Sequence, residues 1–115
     1  MSELHTELCV PCHRGAVPLS SAEIATLSAR LPGWTVDTDD AIPKLTRTVR
    51  ATDFAEALAY VNRIGALAEE ADHHPRIVLE WGRVTISWWT HTIKGLHRND
   101  FIMAARTDRV FASAE

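Results

Sequence analysis

Asp72-His73-His74-Pro75, then Trp89-Thr90-His91-Thr92 and then Asp100, gather the residue types that move protons. Four of the six histidines (His73, His74, His91, His97) fall between positions 72 and 100, beside the densest apolar and aromatic run of the chain. An imidazole, with an ordinary pKa of about 6.5, both gives and takes a proton near neutrality, and a neighbouring carboxylate fixes its tautomer. This pattern therefore predicts general acid/base catalysis first. A metal site built from His73, His74, His91 and a carboxylate is the rival, since these are ligand types for zinc or iron. Against it, adjacent residues on an extended backbone point to opposite sides, so His73 and His74 rarely share one ion.

The elements around these residues must close the sequence gap between them. Pro75 cannot continue a helix and pushes His74 towards an extended backbone, which puts the histidine pair at a helix-to-strand junction. Ile77–Trp81 reads as a strand, Gly82-Arg83 as a two-residue loop and Val84–His91 as the returning strand. In an antiparallel pair, His91 at the far end of the second strand lies beside the start of the first. His73, His74 and His91 are thus expected to face one cavity. Along the returning strand, Val84, Ile86 and Trp88 point one way and Thr85, Ser87, Trp89 and His91 the other. Trp81, Trp88 and Trp89 suit core or interface as well as ligand stacking.

Upstream, Phe54, Ala57, Leu58, Val61, Ile64 and Ala68 form one apolar stripe, predicting a helix capped by Thr52 or Asp53 and running to about Ala71. It ends in Glu69-Glu70-Ala71-Asp72, unfavourable against a helix C-terminus, which is read either as function overriding stability or, equally, as acidic residues on a solvated last turn. Ser20-Ser21-Ala22-Glu23 has capping-box spacing and opens a first helix near residues 21 to 31, stopped by Leu31-Pro32-Gly33. Trp34–Val36 and Ile42–Val49 read as a strand pair. After a turn at Lys94-Gly95-Leu96, Phe101, Ile102 and Ala105 begin a third helix reaching about Ala112, started by His97 or Asn99, with Asp100 favouring its positive end. The order α-β-β-α-β-β-α predicts an α+β fold: a four-stranded antiparallel sheet with three helices on one face.

The chain of 115 residues is one domain's worth, with 46% hydrophobic and 23% charged residues. Residues 1–19 read as an irregular N-terminal arm and 20–115 as the single domain. The net charge of −3 without a basic cluster predicts neither nucleic-acid nor membrane-surface binding. No stretch approaches the length of a membrane span and the N-terminus has no signal-peptide pattern, so a cytoplasmic protein is expected, with Cys9 and Cys12 reduced. Cys9-Val10-Pro11-Cys12-His13 formally matches a c-type haem attachment string, or half a zinc site, but a packed or mobile arm is the plainer reading.

From Pro18 onward the chain resembles the pterin-4a-carbinolamine dehydratases, a family also described as dimerisation cofactors of a homeodomain transcription factor. The resemblance is carried by Glu69 with Asp72-His73-His74-Pro75, then Thr90-His91, Gly95-Leu96 and Asp100, together with Leu31-Pro32-Gly33-Trp34 and Asp53-Phe54. It implies dehydration of 4a-hydroxytetrahydrobiopterin to quinonoid dihydrobiopterin, recycling the pterin of aromatic amino acid hydroxylases without metal or cofactor. By that carry-over, the catalytic set is His73, His74, His91 and Asp100. The pterin would be lined by Glu69, Asp72, His73, His74, Trp89, Thr90, His91 and Thr92. His73 and His91 become the acid and base candidates, His74 holds or assists the substrate, and Asp72 and Asp100 orient imidazoles or the pterin ring. The resemblance further implies homodimers or homotetramers that extend the sheet and pack the second helices. The chain departs from the family at His97, where a Ser or Thr cap is usual, at Asn99, where an arginine is common, and at Ile77, where an aromatic is common. A cap at His97 is therefore expected to be weakened or to shift to Asn99. The alternative within the resemblance is a pterin-binding or partner-binding module without catalysis.

Overall fold

The computed structural model describes residues 4–7, 9, 17–38 and 41–112. Helix α1 (Ser21–Ser28) opens with the expected capping box: Ser20 Oγ accepts from the Glu23 N–H at 3.2 Å and Glu23 returns the bond to the Ser20 N–H at 2.9 Å. It stops earlier than its apolar spacing predicts, and two further turns carry the chain to the buried Leu31 and Trp34. Strands β1 (Thr35–Asp37) and β2 (Lys44–Arg50) follow, then α2 (Phe54–Ala71), β3 (Arg76–Glu80), β4 (Arg83–Trp88) and α3 (Arg98–Ala112). The sheet is wholly antiparallel in the order β1-β2-β4-β3, giving the α+β order read from the sequence.

Helix α2 starts at its cap, the Asp53 carboxylate accepting from the Glu56 N–H at 2.8 Å. Its buried line is Ala57, Tyr60, Ile64 and Ala68, rotated from the predicted stripe so that Phe54 and Leu58 face outward. Tyr60 accounts for the rotation: its ring meets Phe111 of α3 edge-on, with centroids 4.8 Å apart. Beneath α2 and α3, Leu45, Val84, Ile86 and Trp88 form the fully buried inner face of the sheet. On the opposite face, Thr46 and Ser87 join hydroxyls at 2.9 Å and Thr48 and Thr85 at 3.0 Å.

Two details of the second hairpin differ from expectation. Glu80 pairs with Arg83, so Trp81 and Gly82 form the loop, one residue earlier than predicted. Strand β4 ends at Trp88, and His91–Ile93 is a 3-10 turn, so His91 does not ride on the strand. The turn is closed by Thr90 and Gly95, bridged backbone to backbone with Lys94 left-handed. Of the cysteine segment, Val10 to His13 lies outside the described residues.

Candidate active site

The histidine pair emerges from the way α2 stops. Asp72 adopts a left-handed backbone (φ 51°), and the His73 N–H bonds back to the Ala68 carbonyl at 3.1 Å, a Schellman closure. An aspartate tolerates that conformation better than most side chains. Asp72 thereby turns the chain, and Pro75 commits it to β3. His73 and His74 leave this corner on opposite sides, as adjacent residues on an extended backbone do.

His73 turns inward. Its ring stacks parallel on Trp88, centroids 5.7 Å apart, and its Nε2 lies 2.6 Å from Asp100 Oδ1. Asp100 is 0% exposed and His73's side chain 11%. A buried carboxylate is tolerable only when its oxygens are satisfied. Asp100 has three donors: His73 Nε2, Thr90 Oγ1 at 2.8 Å to Oδ2, and the His97 N–H at 2.9 Å to the same oxygen. It also occupies the first turn of α3, where the helix dipole favours negative charge.

His97 caps that helix itself. Its Nδ1 accepts from the Asn99 N–H at 3.0 Å while Asp100, the third helical residue, reaches back to the His97 N–H. The cap therefore neither weakens nor moves to Asn99, because an unprotonated imidazole nitrogen serves where Ser or Thr oxygen normally would.

His74 turns outward, its Nε2 2.6 Å from Glu69 Oε1, and both groups are exposed. The acid-rich end of α2 thus supplies a carboxylate to the next histidine along. His91 also closes on this corner: its Nε2 donates to the His74 carbonyl at 3.3 Å, and its ring lies over Trp89, centroids 4.4 Å apart. The hairpin brings His91 to this corner, through the turn after β4 rather than the strand, but His73 and His74 turn to opposite sides, so the three rings do not face one cavity as expected. Lys44 Nζ and the Arg76 guanidinium sit 4.9 and 6.0 Å from the Trp89 ring centre.

In all three histidines Nε2 faces an acceptor: a buried carboxylate, an exposed carboxylate and a backbone carbonyl. Each neutral ring then carries its lone pair on Nδ1. The metal alternative would need His73 and His74 on one ion, whereas the two are committed to different carboxylates on different sides of the chain. Among the described residues no group of three or more His, Cys, Asp or Glu is arranged to hold a metal.

The other sequence-predicted residues divide. Thr90 is buried and bonds Asp100, and Trp89 lies under His91. Thr92 sits exposed on the 3-10 turn, and Asp72 is exposed with its backbone shaping the corner. Sequence reasoning missed two supports, the Trp88 platform and the reciprocal bond from Asp100 to the His97 N–H, although it named His97 as one possible start of the helix. The second was signalled by the spacing of His97 and Asp100, three apart, the spacing of a capping box.

Comparison with known proteins gives a consistent picture. A family model described as pterin 4 alpha carbinolamine dehydratase matches residues 17–110. A protein of Chlorobium limicola, provisionally named pterin-4-alpha-carbinolamine dehydratase, is 55% identical over 107 residues, 93% of this chain and 95% of its own. One from Syntrophotalea carbinolica with the same provisional name is 52% identical over 108 residues, 94% and 96% of the two chains. Among solved structures, a transcriptional coactivator/pterin dehydratase from Brucella melitensis matches with a TM-score of 0.75 at 26% identity, over 82% of this chain and 98% of that one. A pterin dehydratase-like protein described as a RuBisCO assembly factor in the alpha-carboxysome shares the fold, with a TM-score of 0.57 at 24% identity over 68% of this chain and 88% of that one.

Proposed function

The chain belongs to the pterin-4a-carbinolamine dehydratase family and carries that hydro-lyase activity, and on that premise we propose how its histidines divide the work. The substrate, a 4a-hydroxytetrahydropterin, must lose a proton from ring nitrogen and its hydroxyl from the adjacent carbon. His73 takes the nitrogen proton at Nδ1. Asp100, fixed on Nε2, selects that tautomer and stabilises the imidazolium that results. His91 gives a proton to the departing hydroxyl, which leaves as water. Its partner is a neutral carbonyl rather than a carboxylate. One proton is taken and one given, and exchange with solvent resets both rings.

The observation that carries this assignment is the contrast in partners: a fully buried carboxylate behind His73 and a backbone carbonyl behind His91. His74 with Glu69, at the exposed side, holds the pterin edge, while Trp89, Thr92 and Asp72 border it. Thr90 holds Asp100 rather than substrate. We further assign the enzyme to the cytoplasm, returning quinonoid dihydropterin for reuse by an aromatic amino acid hydroxylase. No described helix is long and apolar enough to cross a membrane.

The test is the dehydration rate of freshly generated 4a-hydroxytetrahydropterin after chelator treatment. His73→Ala and His91→Ala should each lose about 10²-fold or more, the range for removing a positioned acid or base. Their pH–rate profiles should change on opposite limbs, the basic group governing the acid side. A folded protein with no acceleration over the spontaneous rate would leave only a pterin-binding or partner-binding module.

A further inference from the structure

Leu4–Glu7 lies outside the stretch matched by the family model, yet it is fastened to the helix that carries Asp100. Glu7 engages Arg98 bidentately: Arg98 Nε donates to Oε1 at 2.7 Å and Nη2 to Oε2 at 2.8 Å. Farther along α3, Arg106 donates from Nη2 to the Glu7 carbonyl at 2.6 Å and from Nε to the His5 carbonyl at 3.4 Å. Leu4 is buried in the core behind these contacts. The segment therefore grips α3 at positions that flank Asp100 in sequence.

The first grip falls on the opening turn of the helix. Arg98 is the first residue of α3, directly after the His97 cap. The opening N–H groups of a helix lack intrahelical partners, so its first turn is the part that frays. A guanidinium there also opposes the helix dipole. Glu7 neutralises that charge and locks Arg98 with two charge-assisted bonds, the strongest class of side-chain hydrogen bond. If the first turn shifts, Asp100 shifts with it, and with Asp100 the partner that fixes His73.

We infer that Leu4–Glu7 is part of the catalytic unit, with Glu7 and Arg98 as positioning residues that hold the Asp100 carboxylate on His73. The inference rests on the reading of His73 as the base. It makes the N-terminal segment a determinant of turnover, beyond its share of stability.

The experiment uses the full chain with Glu7→Gln, which keeps the side chain's size and leaves Leu4 and the Arg106 bonds to backbone in place. Turnover should fall about three- to tenfold with KM unchanged, as displacement of a catalytic group predicts. The downfield proton resonance of the His73–Asp100 hydrogen bond should shift or broaden. Arg98→Met should do the same, the double variant should be no worse than either single one, and Glu7→Asp should retain most activity. If both single variants melt earlier but keep wild-type turnover and resonance, the segment only stabilises the fold and the inference is overturned. His73→Ala serves as the control: wild-type turnover there would remove the reading of His73 as base. In that case the resonance in Glu7→Gln still decides whether the segment holds the pair.

Discussion

Replacing Asp100 by Asn keeps the shape of the side chain and removes its charge. The amide can face His73 with a donor or an acceptor, so the imidazole loses the partner that keeps its proton on Nε2. Turnover of Asp100→Asn should fall by about 10²- to 10⁴-fold, by analogy with the loss of an orienting aspartate behind a catalytic histidine. Pre-steady-state mixing with generated substrate measures it, and a loss under tenfold would mean that the carboxylate does not orient the base. At this scale the meeting of His73, His74 and His91 at one corner was legible beforehand. Proton-transfer residue types clustered in a short span, and the alternation of neighbours along an extended chain separated His73 from His74. What stayed hidden was tertiary: no periodicity says that Trp88 will lie flat against His73, or that Thr90 and the His97 N–H converge on one buried oxygen.

Elements set those supports, and α3 is the most consequential. Its cap is a histidine acting through Nδ1, so His97→Ala should cost about 1 kcal/mol of stability, the usual value for a lost cap, while His97→Ser should restore most of it. Thermal melts of the two variants check this, and equal loss in both would deny the cap its role. The N-terminal segment adds a pH dependence with a definite sign. The Arg98 hydrogen bonds hold the Glu7 carboxyl below its ordinary value of 4.5, with smaller help from the Arg98 and Arg30 charges and against burial, which pushes the other way. Its stabilisation is therefore complete above the ordinary carboxylate range and disappears as pH falls through the lowered folded value. The protection of Leu4–Glu7 amides against hydrogen exchange, taken relative to the intrinsic rate at each pH, should fall on acidification through that window, and Glu7→Gln should show the low protection at every pH. The apolar spacing of α2 gave its length but not its orientation. The buried line passes through Tyr60 because the Phe111 ring waits on α3, and a helical stripe cannot know its partner. The end of β4 was missed for a similar reason: alternation continues through Trp89 and Thr90 to His91, whereas the Thr90–Gly95 bridge bends the backbone away.

For the whole molecule, the outward-turned Phe54 and Leu58, 47% and 41% exposed, make an apolar pair one helical turn apart. Strand β3 leaves one edge of the sheet open, with Val78 exposed along it. We propose that these surfaces join copies of the chain into a homodimer or homotetramer. Leu58→Glu should lower the sedimenting mass at micromolar concentration, and a wild-type chain that already sediments as a monomer would end the idea. Overall architecture was the most readable level, since helix and strand periods, capping signals and Pro75 all agreed on one order of elements. One last feature reaches into how the protein is made. The carboxylate that backs His73 is also the reciprocal arm of the α3 cap, so the helix cannot complete its start without assembling the base. Refolding from denaturant should therefore regain enzyme activity in the same kinetic phase in which α3 becomes protected, with no long-lived species that is native in outline and catalytically silent.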